Sequence, residues 1–196
     1  MDDAIITEKL LSLIKRRFRL DWDGDHGIAH WERVRQNGLA IANGTRANTR
    51  IIELFAYLHD ADRESEIGDP GHGMRSAELA FTLRGTLIRL ADAEFEILYQ
   101  ACAHHNTKIS SDDITMQICW DADRLDIGRV GIIPDPKYFH TKAAQRMLVE
   151  PPATFGVKTA GAGHRRRMNH PGNICFQRRP HIQQITDYGP TQSRQY

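Results

Sequence analysis

One apolar segment constrains the fold of this chain more than any other feature of its sequence. Residues 51–58 are almost entirely hydrophobic and are followed at once by His59 and Asp60. A helix of this composition is expected to lie in a hydrophobic core, where an imidazole and a carboxylate lose their hydration. The pair therefore needs a partner that offsets this loss, and a bound metal ion is the simplest candidate.

Further residues of the metal-ligand type lie on the neighbouring predicted helices. His30 lies on the amphipathic helix before the apolar segment, His72 at the start of the helix after it, and His104 at the end of the next one. Asp121 follows in an acidic segment. This order of histidines and aspartates, over about residues 20–150, resembles the HD-domain superfamily of metal-dependent phosphohydrolases. Its complete set of six ligands is similar to that of the two-metal members.

The resemblance implies a site for two divalent ions with Asp60 as the ligand that bridges them. Histidine and carboxylate ligands suit divalent iron, manganese, cobalt, nickel or zinc. A hydroxide between two such ions would be the nucleophile that attacks phosphorus. His105 is an alternative to His104 as a ligand of the second ion. The implied ligands are His30, His59 and Asp121 at the first ion and His72 and His104 at the second, besides Asp60.

Basic side chains near these positions are candidates for binding a phosphate. Arg63 follows His59 by four residues, so it faces the same region, and a guanidinium can hold a phosphate through two hydrogen bonds. We expect Asp60 and Arg63 to be the catalytic residues, with Arg63 also binding substrate. Further candidates for substrate binding are Arg75, Lys108 and Arg124.

Other charged residues are expected to be structural. Arg33 follows His30 by three residues and should pair with a carboxylate such as Asp123 or Asp126. His26 is expected to be a loop residue.

Length and composition indicate one globular domain. The chain has 196 residues, of which 40% are hydrophobic and 26% charged, and this is ordinary for a globular protein. It contains no apolar run of about 18 residues and no secretory leader, so we expect a cytoplasmic protein without a membrane partner. The three cysteines have no CxxC spacing, which argues against a structural zinc site.

Charge divides the chain at about residue 150. Residues 1–150 carry 19 Lys and Arg against 24 Asp and Glu, whereas residues 151–196 carry 7 against 1. An acidic body fits a cation site and gives no strong sign of nucleic-acid binding. We expect an HD-like helical domain over residues 1–156 and an irregular basic tail over residues 157–196.

The periodicity up to about residue 150 is that of α-helices, with no strand-like alternation. Thr7 is a candidate N-cap for the first helix, and Asn48 or Thr49 for the helix that ends at His59. The sequence predicts an all-α bundle. Its other helices are expected over about residues 28–42, 74–83, 93–104 after Asp92, from Ser111 or Asp112 to residue 126, and 143–148.

Three functions are compatible with this pattern. The first is a metal-dependent hydrolase of a phosphate ester or anhydride, with a nucleotide or another small phosphorylated molecule as substrate. The second is a di-iron oxygenase of the HD type, because a few such relatives activate oxygen. The third is a regulatory module that binds a nucleotide without turning it over.

Overall fold

The computed structural model describes residues 4–107 and 109–149, which form seven α-helices and no β-strand. This confirms the all-α prediction. Short 3-10 turns cover Ile127–Val130 and Pro136–Tyr138. The helices are α1 (Glu8–Arg17), α2 (Ile28–Ala42), α3 (Thr49–Leu58), α4 (His72–Leu83), α5 (Asp92–His104), α6 (Ile114–Leu125) and α7 (Lys142–Met147).

Helix α3 is the centre of the bundle and carries the apolar segment. It packs against α2, α5 and α6, and side chains on every side of it are buried, including Phe55 and Leu58. Burial of each large apolar side chain contributes about 1.5–3 kcal/mol. Helix α2 lies very close, because a Cβ at Gly38 would be 2.4 Å from Cγ2 of Ile52. This packing fixes the end of α3 deep in the protein.

Polar side chains define where several helices begin. Thr7 and Asn48 accept hydrogen bonds from backbone N–H groups of α1 and α3, as predicted. Asp113 caps α6 instead of Ser111 or Asp112, because its carboxylate accepts a bond from Met116 N at 2.9 Å.

Two other predicted starts differ from the observed ones. Asp92 is the first residue of α5 and not its cap, and the N–H of Ala91 donates to Glu94 Oε2 at 3.0 Å. Helix α4 starts at His72, two residues before the predicted start, because Gly71 serves as its N-cap residue.

The start of α4 lies against the end of α5. A Cβ at Gly73 would be 2.8 Å from the carbonyl oxygen of Cys102 and 2.9 Å from Oδ1 of Asn106, so only glycine permits this approach. His72 and His105 are brought together as a result. The two helix termini therefore build one part of the site.

No helix in the described part of the chain is both long and apolar enough to cross a membrane. The predicted tail, residues 157–196, lies outside the described residues, as does the end of the predicted domain.

Candidate metal centre

The end of α3 brings His59 and Asp60 into the interior. His59 caps the helix and its ring stacks on Phe55 at a centroid distance of 5.0 Å. Its Nδ1 donates to the carbonyl oxygens of Phe55 and Ala56 at 3.2 and 3.1 Å. Since Nδ1 carries the proton, the buried Nε2 presents a lone pair to the neighbouring side chains.

His30 approaches this atom from α2. Its Nδ1 donates to Oδ2 of Asp126 at 2.7 Å, and its Nε2 lies 3.1 Å from Nε2 of His59. Arg33 donates to both oxygens of Asp126, at 2.6 and 3.0 Å, which confirms its structural role. A carboxylate behind a ligating imidazole is typical of metal sites, because it orients the ring.

His72 and His105 form a second pair. His105 Nδ1 donates to the carbonyl oxygen of Cys102 at 2.8 Å, and His72 Nδ1 contacts that of Asp69. The two Nε2 atoms are 2.8 Å apart. Backbone carbonyls thus fix both rings so that Nε2 faces inward.

Asp60 lies between the two histidine pairs and directs one carboxylate oxygen to each. Oδ2 is 3.8 Å from His30 Nε2 and 3.7 Å from His59 Nε2. Oδ1 is 3.2 Å from His72 Nε2 and 3.7 Å from His105 Nε2. This division is the arrangement that a carboxylate adopts when it bridges two cations.

Asp123 completes the first pair from α6. Its Oδ1 is 3.4 Å from His30 Nε2 and 3.7 Å from His59 Nε2. The ligand atoms form three overlapping groups, each with its atoms within 4.8 Å of one another. These groups are His30, His59 and Asp60, then His59, His105 and Asp123, then Asp60, His72 and His105.

The donor set fits divalent transition ions. In each histidine pair two Nε2 lone pairs face one another, an arrangement that needs a proton or a cation between them. Nitrogen and carboxylate ligands without thiolates suit a divalent ion of borderline softness. The residues present therefore fit the metal that the resemblance implies.

The pKa values of the histidines indicate which rings of the metal-free site carry an additional proton. Burial lowers the pKa of His59 to about 3. Burial, together with repulsion by His105, also lowers the pKa of His72. Burial acts in the same direction on His30 and His105, but the pKa of each is raised, by Asp123 and Asp126 for His30 and mainly by Asp60 for His105. One histidine of each pair therefore takes up a proton readily while its partner stays neutral.

The pKa values of the two central carboxylates, Asp60 and Asp123, are both lowered. Burial acts to raise the pKa of Asp60 and Asp123, but the surrounding histidines, His59 and His30 foremost, hold both well below the usual value. Both side chains are therefore ionised over the whole working range of pH and attract cations.

The structure brings His105 and not His104 to the cluster, which corrects that expectation. Leu98, Ala101, Cys102 and His105 share one buried face of α5 and its cap, at helical spacings of three and four. His104 points away from this face and belongs to none of the ligand groups among the described residues. The spacing of the apolar residues on α5 is a sequence signal that could have identified His105 as the inward histidine.

The structure likewise brings Asp123 and not Asp121 to the cluster. The buried Asp121 accepts hydrogen bonds from the backbone N–H groups of His140 and Thr141 at 2.9 and 2.8 Å, so it anchors the segment before α7. Sequence spacing carried the signal here too. His30 and Arg33 are three residues apart and face Asp123 and Asp126, also three apart.

A cleft of about 300 Å³ opens onto the cluster. Arg63 lies in it, with Nη1 3.3 Å from Asp60 Oδ1 and 3.2 Å from His72 Nε2. Arg124 also lines the cleft and donates to the carbonyl oxygen of Tyr138 at 2.5 Å. Ile127, Val130 and Ile132 supply an apolar wall.

The other basic candidates are placed differently. Arg75 is not among the cleft residues and pairs with Asp69 at 2.6 Å, so the structure gives it a role in the loop before α4. Lys108 lies outside the described residues. His26, which was expected to be only a loop residue, lines the cleft, and so does Arg129, which the sequence did not single out.

The helical bundle thus carries, at the floor of a cleft, a cluster of side chains that could hold divalent metal ions. No family model matches the chain, and no curated protein matches it either. Among solved structures, it is similar to a predicted HD superfamily hydrolase from an uncultured Thermotogales bacterium. The two are 27% identical, with a TM-score of 0.57, over 72% of this chain and 82% of that one.

The match and the clustered ligands together confirm that the chain resembles the HD superfamily in its fold and in the residue types of its site. At the level of the family, they support a metal-dependent phosphohydrolase.

Proposed function

We propose that the protein hydrolyses an ester or anhydride bond of a small phosphorylated molecule with the help of two divalent ions. The observation that carries this proposal is the position of Asp60, whose two oxygens face different histidine pairs. A single ion would need only one of these oxygens.

The residues present divide into two sets of ligands. His30, His59 and Asp123 would hold one ion together with Oδ2 of Asp60, and His72 and His105 would hold the other with Oδ1. Ions bound there lower the pKa of water and neutralise charge that develops on phosphate oxygens.

Arg63 supports a phosphoryl substrate. Its guanidinium now contacts Asp60 Oδ1 and His72 Nε2, the atoms assigned to the second ion. If these atoms held a cation, the guanidinium would be displaced from them, and from the cleft it could donate two hydrogen bonds to a phosphate. Arg124 and Arg129 add positive charge to the cleft.

The apolar wall supports an organic substituent on the substrate. Ile127, Val130 and Ile132 offer no hydrogen bond through their side chains and line the same cleft as the arginines. A phosphate attached to a partly apolar group, such as a nucleoside, would complement both parts of this surface.

The test is a screen of the metal-free protein reconstituted separately with Mn²⁺, Fe²⁺, Co²⁺, Ni²⁺ and Zn²⁺. Release of inorganic phosphate from nucleotides and simple phosphate esters is the expected result, and Asp60→Asn is the negative control. Oxygen uptake that requires iron, without phosphate release, would indicate the oxygenase. Tight nucleotide binding without any product would indicate a regulatory module.

A further inference from the structure

His26 lies at the cleft in a loop whose shape is tightly constrained. A Cβ at Gly27 would be 2.0 Å from the carbonyl oxygen of Trp22, so only glycine fits after His26. On the other side, Arg129 Nε donates to the carbonyl oxygen of Asp25 at 2.7 Å. The His26 side chain is consequently held in one place, and the residue is only 7% exposed.

Glu66 determines which nitrogen of this ring is free. The Glu66 carboxylate contacts His26 Nδ1, and since an ionised carboxylate only accepts hydrogen bonds, Nδ1 is the donor. The Nε2 atom has no hydrogen-bond partner among the described residues, and it is not among their fully enclosed polar atoms without a partner. Because His26 lines the cleft, this accessible nitrogen is available to a molecule bound there.

His26 is separate from the ligand clusters. Its ring centroid is 6.4 Å from that of His30, and His26 belongs to none of the groups that could hold an ion in the described part of the chain. A purely structural role, in which His26 holds two loops together, would explain its contact with Glu66. It would not explain why the other edge of the ring is left accessible in the cleft that Asp60 and Arg63 also line.

We propose that His26 is a catalytic residue that donates a proton from Nε2 to the leaving oxygen of the substrate, and that Glu66 positions its ring. This inference rests on the proposed phosphohydrolase function. Histidine is the side chain most often used for such transfers, and an imidazole held by a carboxylate is the common arrangement. The Glu66 carboxylate can serve as counter-ion to the doubly protonated ring.

The step is balanced in atoms and charge. The oxygen of a water molecule forms a bond to phosphorus and gives up one proton to solvent, while the bond from phosphorus to the leaving oxygen breaks. The electron pair of that bond stays on the leaving oxygen, which takes the proton from His26 Nε2. His26 regains a proton from solvent, so the net reaction consumes one water and yields an alcohol and phosphate.

The dependence of rate on the leaving group tests this role. p-Nitrophenyl phosphate has a leaving group that needs little protonation, whereas phenyl and benzyl phosphate have progressively poorer ones. For His26→Gln we expect a loss in kcat/KM of about 10²- to 10⁴-fold with benzyl phosphate. With p-nitrophenyl phosphate the expected loss is below about tenfold, because that transition state gains less from a general acid. Glu66→Gln should show the same trend with smaller losses.

His140→Gln is the matched control, because His140 also directs Nδ1 to a carboxylate, that of Asp121 at 3.0 Å, but is not a cleft residue. It should stay within about twofold of the wild type for all three esters, as is usual for a surface substitution away from the site. Metal content by elemental analysis should be unchanged in His26→Gln and Glu66→Gln.

Three outcomes would overturn the proposal. They are equal losses with all three esters, no loss with any of them, or loss of metal from correctly folded His26→Gln. If circular dichroism shows that His26→Gln does not fold, the test rests on Glu66→Gln. The deciding quantity is then how its loss in kcat/KM depends on the leaving group. A wild-type protein that binds metal but hydrolyses no phosphate compound would instead refute the proposed function itself.

Discussion

The two halves of the cluster are built from similar ligands but differ in how firmly they are held. His30 and His59 are completely buried, and Asp126 fixes the His30 ring from behind. The other half comes from helix termini, lines the cleft and already contains the Arg63 guanidinium. From this difference we predict that an ion in the first half would be held tightly and that one in the second half would exchange more readily.

Asp60→Asn should have the largest effect, because this residue belongs to both halves. The amide keeps the shape but removes a negative charge from between two cations, so metal affinity and hydrolysis should fall together. We expect activity to drop by several orders of magnitude. The far-ultraviolet circular dichroism should be unchanged, because Asp60 lies beyond the last residue of α3. Full metal content with wild-type turnover would contradict the bridging role.

Asp123→Asn should selectively weaken the first half. We expect loss of the tightly bound ion, since this carboxylate lies within 3.4 to 3.7 Å of both histidines there. Asp121→Asn is the matched control, because it changes a buried aspartate two residues away that faces another segment. It should lower the melting temperature but keep the metal, as measured by elemental analysis. Loss of metal in Asp121→Asn but not in Asp123→Asn would indicate that Asp121 is the ligand.

Arg63→Ala should affect the second half in two opposite ways. A charged hydrogen bond to phosphate is worth about 1.5–3 kcal/mol, so loss of even one of the two should weaken substrate binding by roughly 10- to 150-fold. Removal of the competing cation should strengthen binding of the second ion. Steady-state kinetics and metal titration measure the two effects. Arg75→Ala is the control, and a matching loss there would argue against a specific role of Arg63.

Metal binding should release protons, with an affinity that rises with pH. The raised pKa values of His30 and His105 mean that these rings hold protons at a pH near their ordinary value of 6.5, and a cation must displace them. His59 releases none, since its pKa of about 3 keeps it neutral. Protonation of His30 and His105 stabilises the folded metal-free protein below pH 6.5. This stabilisation is lost as the pH rises through the raised pKa values of the two rings.

Calorimetric titration with Mn²⁺ in two buffers of different ionisation enthalpy measures this proton release. His30→Gln should reduce the number of protons released at pH 7 by up to one. Affinity that does not change between pH 6 and 8 would contradict this picture of the metal-free site.

The sequence predicted the fold well because hydrophobic periodicity records which face of each helix is buried. Residues 28–42 and the cap at Asn48 agree with the structure. The structure also brings together four of the expected ligands, which are His30, His59, Asp60 and His72.

The remaining ligands were misassigned because adjacent or nearly adjacent residues on a helix point in different directions. The order of residue types cannot separate His104 from His105, or Asp121 from Asp123. The buried face of α5 separates the two histidines. On α6 both aspartates are candidates by burial, and only the pairing of Asp123 and Asp126 with His30 and Arg33 separates them. The role of His26 depends on a loop contact with Glu66, forty residues away, for which helical periodicity gives no signal.

The most direct test is to add metal to the metal-free protein and to measure how many ions bind and with what affinity. Titration with Mn²⁺ under anaerobic conditions, followed by elemental analysis, should give two ions per chain with clearly different affinities. The tighter ion should be lost in Asp123→Asn, and both should be weakened in Asp60→Asn. Binding of no ion, or of one ion whose affinity is unaffected by Asp60→Asn, would contradict the account.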